Sequence, residues 1–176
     1  MNGPPERTEA APYYFTYIDL IPDIDIVGAL EKQVDETSAF LSGISEEQSL
    51  HRYAPDKWSV KEVLGHVADT ERIFAYRALR IARGDQTPLS GFEQDDYVRG
   101  ARFGARPLAD VVEEYADVRQ ASLALFGSLD DGAWLRRGVA NGNPVTVLAL
   151  AYLMAGHELH HRKILEERYF PAIPRA

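Results

Sequence analysis

Apolar residues recur with the period of an α-helix in four separate stretches of this chain, each roughly twenty residues long. The first stripe is Ile26, Val27, Leu30, Val34, Thr37 and Leu41, opened by Asp23 or Asp25 as a cap and closed by Gly43. Ser45-Glu-Glu-Gln48 then reads as a capping box that opens a short turn. The clearest start signal follows: Ser59, with Glu62 three positions later, leads into Val63, His66, Val67, Thr70, Phe74, Arg77 and Ile81, and Gly84 stops the helix. The third stripe is Leu108, Val111, Val112, Tyr115, Val118, Ser122, Leu125 and Phe126, ended by Gly127. The fourth is Val147, Leu150, Ala151, Met154, His157, His161, Ile164 and Leu165, with Asn143-Pro144 supplying its cap and first-turn proline. No segment alternates convincingly with a strand period, so the predicted fold is all-α, a four-helix bundle.

Three positions on these stripes are histidine where an apolar residue is expected. His157 and His161 are four apart, so one helix face directs both imidazoles toward one point. His160 falls off that face, beside Leu153 and Gly156. Two readings fit the pair: ligands of a metal built into the bundle, or core histidines satisfied by carboxylates and carbonyls. His66, alone on its helix, reads first as a core histidine of the same kind. The three together favour a common site. His66 stands about 10 Å along the second helix from its start and His161 about as far from the end of the fourth, so they share a level only if those helices are antiparallel. With a long connection over residues 84–106, the second and third helices can then run parallel, which gives an up-down-down-up order. A connection of that length is a crossover or a functional loop, and its Asp95-Asp96-Tyr97 run is either part of a lid or a solvated loop.

Composition narrows the chemistry. The 176 residues suit one domain, expected over residues 21–176, with residues 1–20 as an arm carrying the aromatic run Tyr13-Tyr14-Phe15-Thr16-Tyr17. A formal charge of −8 disfavours a nucleic-acid footprint, and no run of about 18 apolar residues is present to span a membrane. The start, Met1-Asn-Gly-Pro-Pro-Glu-Arg, lacks the basic and apolar regions of a secretory signal, so cytoplasmic residence is expected. Cysteine is absent, leaving only His, Asp and Glu to hold a metal. Three imidazoles leave a zinc-like ion at least one open position, where water or a substrate atom is activated. Asp69, one turn after His66, and Glu158, next to His157, are the candidate carboxylates for orienting a ligand or acting as general base; solvated acids are the alternative. Arg77, three turns beyond His66 on its face, is a candidate for an anionic group or for pairing with a buried acid. His51 lies in a polar stretch and is expected at the surface.

Trp58-Ser-Val-Lys-Glu-Val-Leu-Gly-His66-Val-Ala-Asp69-Thr-Glu-Arg72, together with His157-x-x-His160-His161-Arg162, closely resembles the DinB-like (damage-inducible) superfamily of metalloenzymes, which is distinct from the DNA polymerase sharing that name. The resemblance spans about Tyr13 to Tyr169. It implies an up-down-down-up four-helix bundle and a metal triad of one histidine in the second helix and two in the last, carried here by His66, His157 and His161. It also implies nickel or zinc as the metal and a homodimer. Relatives include isomerases and S-transferases that use low-molecular-weight thiols. Three functions are open at this point: a metal-dependent enzyme using a thiol cofactor, a metal-dependent hydrolase using water, and a non-catalytic stress-response binding protein.

Overall fold

The computed structural model describes residues 3–172, so the outer ends of the expected arm and domain, residues 1–2 and 173–176, lie outside it. A four-residue helix α1 (Phe15–Ile18) precedes the first long helix α2 (Ile26–Leu41), whose N-terminus is capped by Asp25 accepting from Val27 N and Gly28 N. Helix α3 (Val60–Ala82) opens with the complete Ser59–Glu62 capping box, and Gly84 follows it at φ 83°. After the short α4 (Gln94–Ala101) come α5 (Leu108–Gly127) and the one-turn α6 (Asp131–Trp134). A hairpin of β1 (Arg137–Ala140) and β2 (Asn143–Thr146) leads into α7 (Val147–Ile164).

Helices α2, α3, α5 and α7 form the bundle, and contacts between them set its directions. Arg162 reaches Glu36, and Gln33 donates to the Ala155 carbonyl at 2.9 Å, so α2 and α7 run side by side in one sense. The start of α3 meets the start of α5 where Lys61 donates to the Arg106 carbonyl at 2.6 Å, and farther along Glu71 meets Arg119. Those two helices run in the other sense. Nearly every residue of the four predicted stripes is buried; Val27, Val112, Leu125, His161 and Ile164 are half-buried.

Four local expectations are corrected. Asn143-Pro144 does not start the last helix: both lie in β2, and Thr146 is the cap, accepting from Ala149 N at 3.0 Å. The hairpin itself was not expected. It turns at Asn141-Gly142, both with positive φ (50° and 74°), the backbone that a two-residue turn between twisted strands requires. The connection over 84–106 is also partly structured, because Asp95 and Asp96 occupy the first turn of α4, where their charges complement the helix dipole. His51 is half-buried rather than at the surface, its ring 6.3 Å from that of Tyr169. Leu89 joins the hairpin by donating to the Val139 carbonyl and accepting from Asn141 N, each at 2.9 Å, so the chain just after α3 is fastened across the bundle. Among the described residues no helix is long and apolar enough to cross a membrane.

Candidate metal centre and its pocket

The antiparallel packing of α3 on α7 brings His66, His157 and His161 together. Their Nε2 atoms meet at His157, 3.1 Å from His66 and 3.1 Å from His161, and each residue offers a ligand nitrogen within 4.8 Å of the others. A single imidazole Nε2 carries either one proton or one lone pair, so His157 cannot satisfy both neighbours by hydrogen bonding alone. Three lone pairs turned toward one cation resolve that conflict, and the spacing is near what nitrogen ligands about 2.1 Å from a shared ion adopt. The three histidines are therefore positioned to hold a metal. Thr70 Oγ1 lies 3.4 Å from His66 Nδ1, on the side away from the cluster, where it can fix the ring and leave Nε2 as the ligand atom.

Burial keeps these rings neutral. It lowers His66 to about pH 4, and it pushes His157 and His161 well below the ordinary imidazole value, with the other histidines adding to the effect. Neutral imidazole is the form that binds metal. His160 stays outside the cluster, its ring edge-on to Tyr17 at 5.1 Å.

A cavity of about 330 Å3 opens beside His66 and His157. Its walls come largely from outside the bundle helices: Tyr13, Tyr14 and Tyr17 from the N-terminal segment, Gly91 to Asp95 from the chain leading into α4 and its first turn, and Asn141 from the hairpin turn. Phe74 and Arg77 complete it from α3. A second cavity of about 300 Å3 lies against His161 and Trp58, and Gln94 and Asp95 line both. Tyr17 packs its ring 5.5 Å from His157, and Trp58 packs 4.7 Å from His66, so aromatic surface shields the cluster from two sides.

The other expected site residues divide. Arg77 lies in the pocket, 3% exposed. Asp69 turns away to pair with Arg72 at 3.2 Å; burial raises its pKa and Arg72 opposes the rise. Glu158 faces the opposite side of α7 from the cavity walls, accepting from Thr37 Oγ1 at 2.5 Å and from Arg119 Nη2 at 2.6 Å. Arg119, fully buried, also donates to both oxygens of Glu71 and to the Leu30 carbonyl, so one guanidinium ties together all four bundle helices. Burial opposes its charge, but Glu158 and Glu71 outweigh that and hold its pKa above the ordinary value.

Pattern reading missed this ion cluster, although Arg119 falls on the third stripe, four residues after Tyr115 and three before Ser122. It also left Tyr14, Tyr17, Trp58 and Asn141 without a role. One signal was present for the tyrosines. Gly156, within an otherwise good helix-forming run, is where the Tyr17 carbonyl lies so close to α7 that any Cβ would collide with it. Gly156→Ala is accordingly expected to displace residues 13–17 while leaving the bundle helical. Limited proteolysis should then cut near Tyr17, and an undiminished resistance there would refute the packing role.

The family model described as the DinB superfamily matches residues 29–165. No curated protein sequence matches the chain. Among solved structures, the chain superimposes with a TM-score of 0.75 on YfiT from Bacillus subtilis, described as a probable metal-dependent hydrolase with an unusual four-helix bundle topology, at 15% identity over 96% of this chain and 92% of that one. A mycothiol-dependent maleylpyruvate isomerase superimposes with a TM-score of 0.69 at 14% identity, over 89% of this chain and 66% of that chain.

Proposed function

The chain belongs to the DinB superfamily, and from that premise we propose that it is a metal-dependent enzyme whose His66, His157 and His161 hold one divalent ion, zinc or nickel, and whose co-substrate is a low-molecular-weight thiol used for transfer or isomerisation. One observation carries this reading: His66 and His157 of the cluster border a cavity walled by three tyrosines, two phenylalanines and Arg77, whose carboxylates, Glu93 and Asp95, come from the connection after α3, while neither Asp69 nor Glu158 faces it. Three imidazoles suit zinc or nickel. When bound, the ion supplies a Lewis-acid centre with a coordination position left for substrate.

The protein's own residues do the remaining work. Tyr17 and Trp58 exclude water from the histidines, which strengthens every charge interaction within the site. Asp95 lines both cavities, which supports it over Glu93 as the carboxylate that takes the proton the thiol gives up. In a transfer, sulfur bonds to an electrophilic carbon of the second substrate, and the leaving group departs with its electron pair.

Asp95 also favours a second reading, hydrolysis, in which it takes a proton from water instead. The metal-loaded protein separates the two when given electrophiles with and without added thiol. Turnover that requires thiol is the expected outcome, and Asp95→Asn should slow it by about 100-fold or more. Turnover of esters or amides without thiol would replace this reading by hydrolysis. Metal binding without turnover in either assay would leave a binding protein.

A further inference from the structure

Arg77 is a buried cation with no acid to neutralise it. It donates from Nη2 to the Ser90 carbonyl at 2.7 Å, and the Tyr14 side chain is its other polar neighbour; among the described residues no carboxylate pairs with it. Every other deeply buried cation in the described chain has such a partner: Lys61 has Glu46, and Arg119 has Glu71 and Glu158. A guanidinium has five N–H donors in a planar fork, so Arg77 keeps donors free while lining the same cavity as the histidines. Burying an unpaired charge is costly, and a site that leaves one facing a ligand-sized cavity is complementary to an anion.

Position sets the ligand's shape. Arg77 is eleven residues after His66 on the same helix, about 16 Å along the axis. Both side chains lean toward the N-terminus of the helix, but the guanidinium sits on the longer stem, so it reaches farther back toward the imidazoles and leaves a span on the order of 10 Å. Charge sets its class. Glu93 and Asp95 line the same cavity, and Arg77 is its single buried cation, so a singly charged group fits better than a phosphate carrying nearly two charges.

We propose that Arg77, with Tyr14, is a carboxylate-binding subsite, and that the ligand of this pocket is a small carboxylate whose other end reaches the histidine cluster. The inference rests on the thiol reading above for the identity of that other end.

The test uses zinc-loaded full-length protein and two thiols of matched length, mercaptohexanoate and mercaptohexanol, with affinities measured by calorimetry. The wild type should bind the carboxylate at least about tenfold more tightly, the worth of one charge-assisted hydrogen-bond pair. Arg77→Gln should erase that preference and leave mercaptohexanol binding unchanged, while Arg77→Lys retains part of it. Removing an unpaired buried charge should also leave the melting temperature the same or higher. Equal affinities in the wild type, or a preference that survives Arg77→Gln, would overturn the subsite. So would Arg77→Gln lowering the melting temperature and weakening both thiols together, which marks a tether to Ser90 and nothing more. If neither thiol binds, the thiol reading fails and hexanoate alone decides the subsite: binding to wild type but not Arg77→Gln supports it, and equal failure against both refutes it.

Discussion

His157→Ala is expected to abolish metal binding, and His161→Ala to weaken it by more than about 100-fold, whereas His160→Ala should retain about one ion per chain. The centre of the cluster is His157 Nε2, the atom 3.1 Å from both partners, so its removal deletes the one nitrogen that the other two share. His161 is half-buried, and its alanine variant is the one least prone to unfold, so it carries the quantitative comparison. His160 belongs to the same helix turn but packs on Tyr17 instead. Elemental analysis after zinc or nickel loading, with circular dichroism to verify folding, provides the measurement. Equal losses in the His160 and His161 variants would refute the ligand assignment. The pH dependence has a definite sign. With His66 depressed to about 4, the folded site stays neutral as pH falls past 6.5 while the unfolded chain takes up protons. Stability of the metal-free protein should therefore decline as pH falls from about 6.5 through about 4, and the more strongly depressed His157 and His161 carry the decline further.

The second large effect lies in the core. Arg119→Met should cost on the order of 3–5 kcal/mol and lower the melting temperature by roughly 10 °C, because it strands Glu71 and Glu158 without a counter-charge in a region that excludes water. Arg119 itself is fully buried, and its donors reach α2, α3 and α7 from α5, so the loss reaches every interface of the bundle. Adding Glu71→Gln and Glu158→Gln to Arg119→Met should recover much of the deficit, since the stranded charges are then gone. Differential scanning calorimetry decides the matter. A single variant melting within about 2 °C of wild type would show that the cluster contributes little beyond apolar packing.

The bundle was legible because its helices bury wide apolar faces, and period and capping residues record that burial directly: Ser59 and Glu62 are read in the sequence and found as a closed box. The histidines were legible for a related reason, as polar residues at apolar positions. Arg119 shows where the same logic fell short. It breaks its stripe as plainly as His66 does, yet a charged residue near a face boundary is ordinarily solvated, and nothing local reveals that Glu71 and Glu158 meet it from other helices. The hairpin is hidden in the sequence because Asn143-Pro144 satisfies the rules for a helix start, which masks the turn signal of the neighbouring Asn141-Gly142. Glu158 stands beside His157 in the sequence, but neighbours along a helix point about 100° apart, so one faces the histidine cluster and the other the core.

Most of the pocket's wall belongs to residues 13–17, 91–95 and 141, while the three histidines stand on two long helices. Under the proposed function, the frame and the selectivity of this protein are thus encoded in different parts of its chain. Exchanging those three short segments between paralogues should transplant substrate preference while the ion and the bundle are kept, and the same separation lets a lineage explore new substrates without risking its fold.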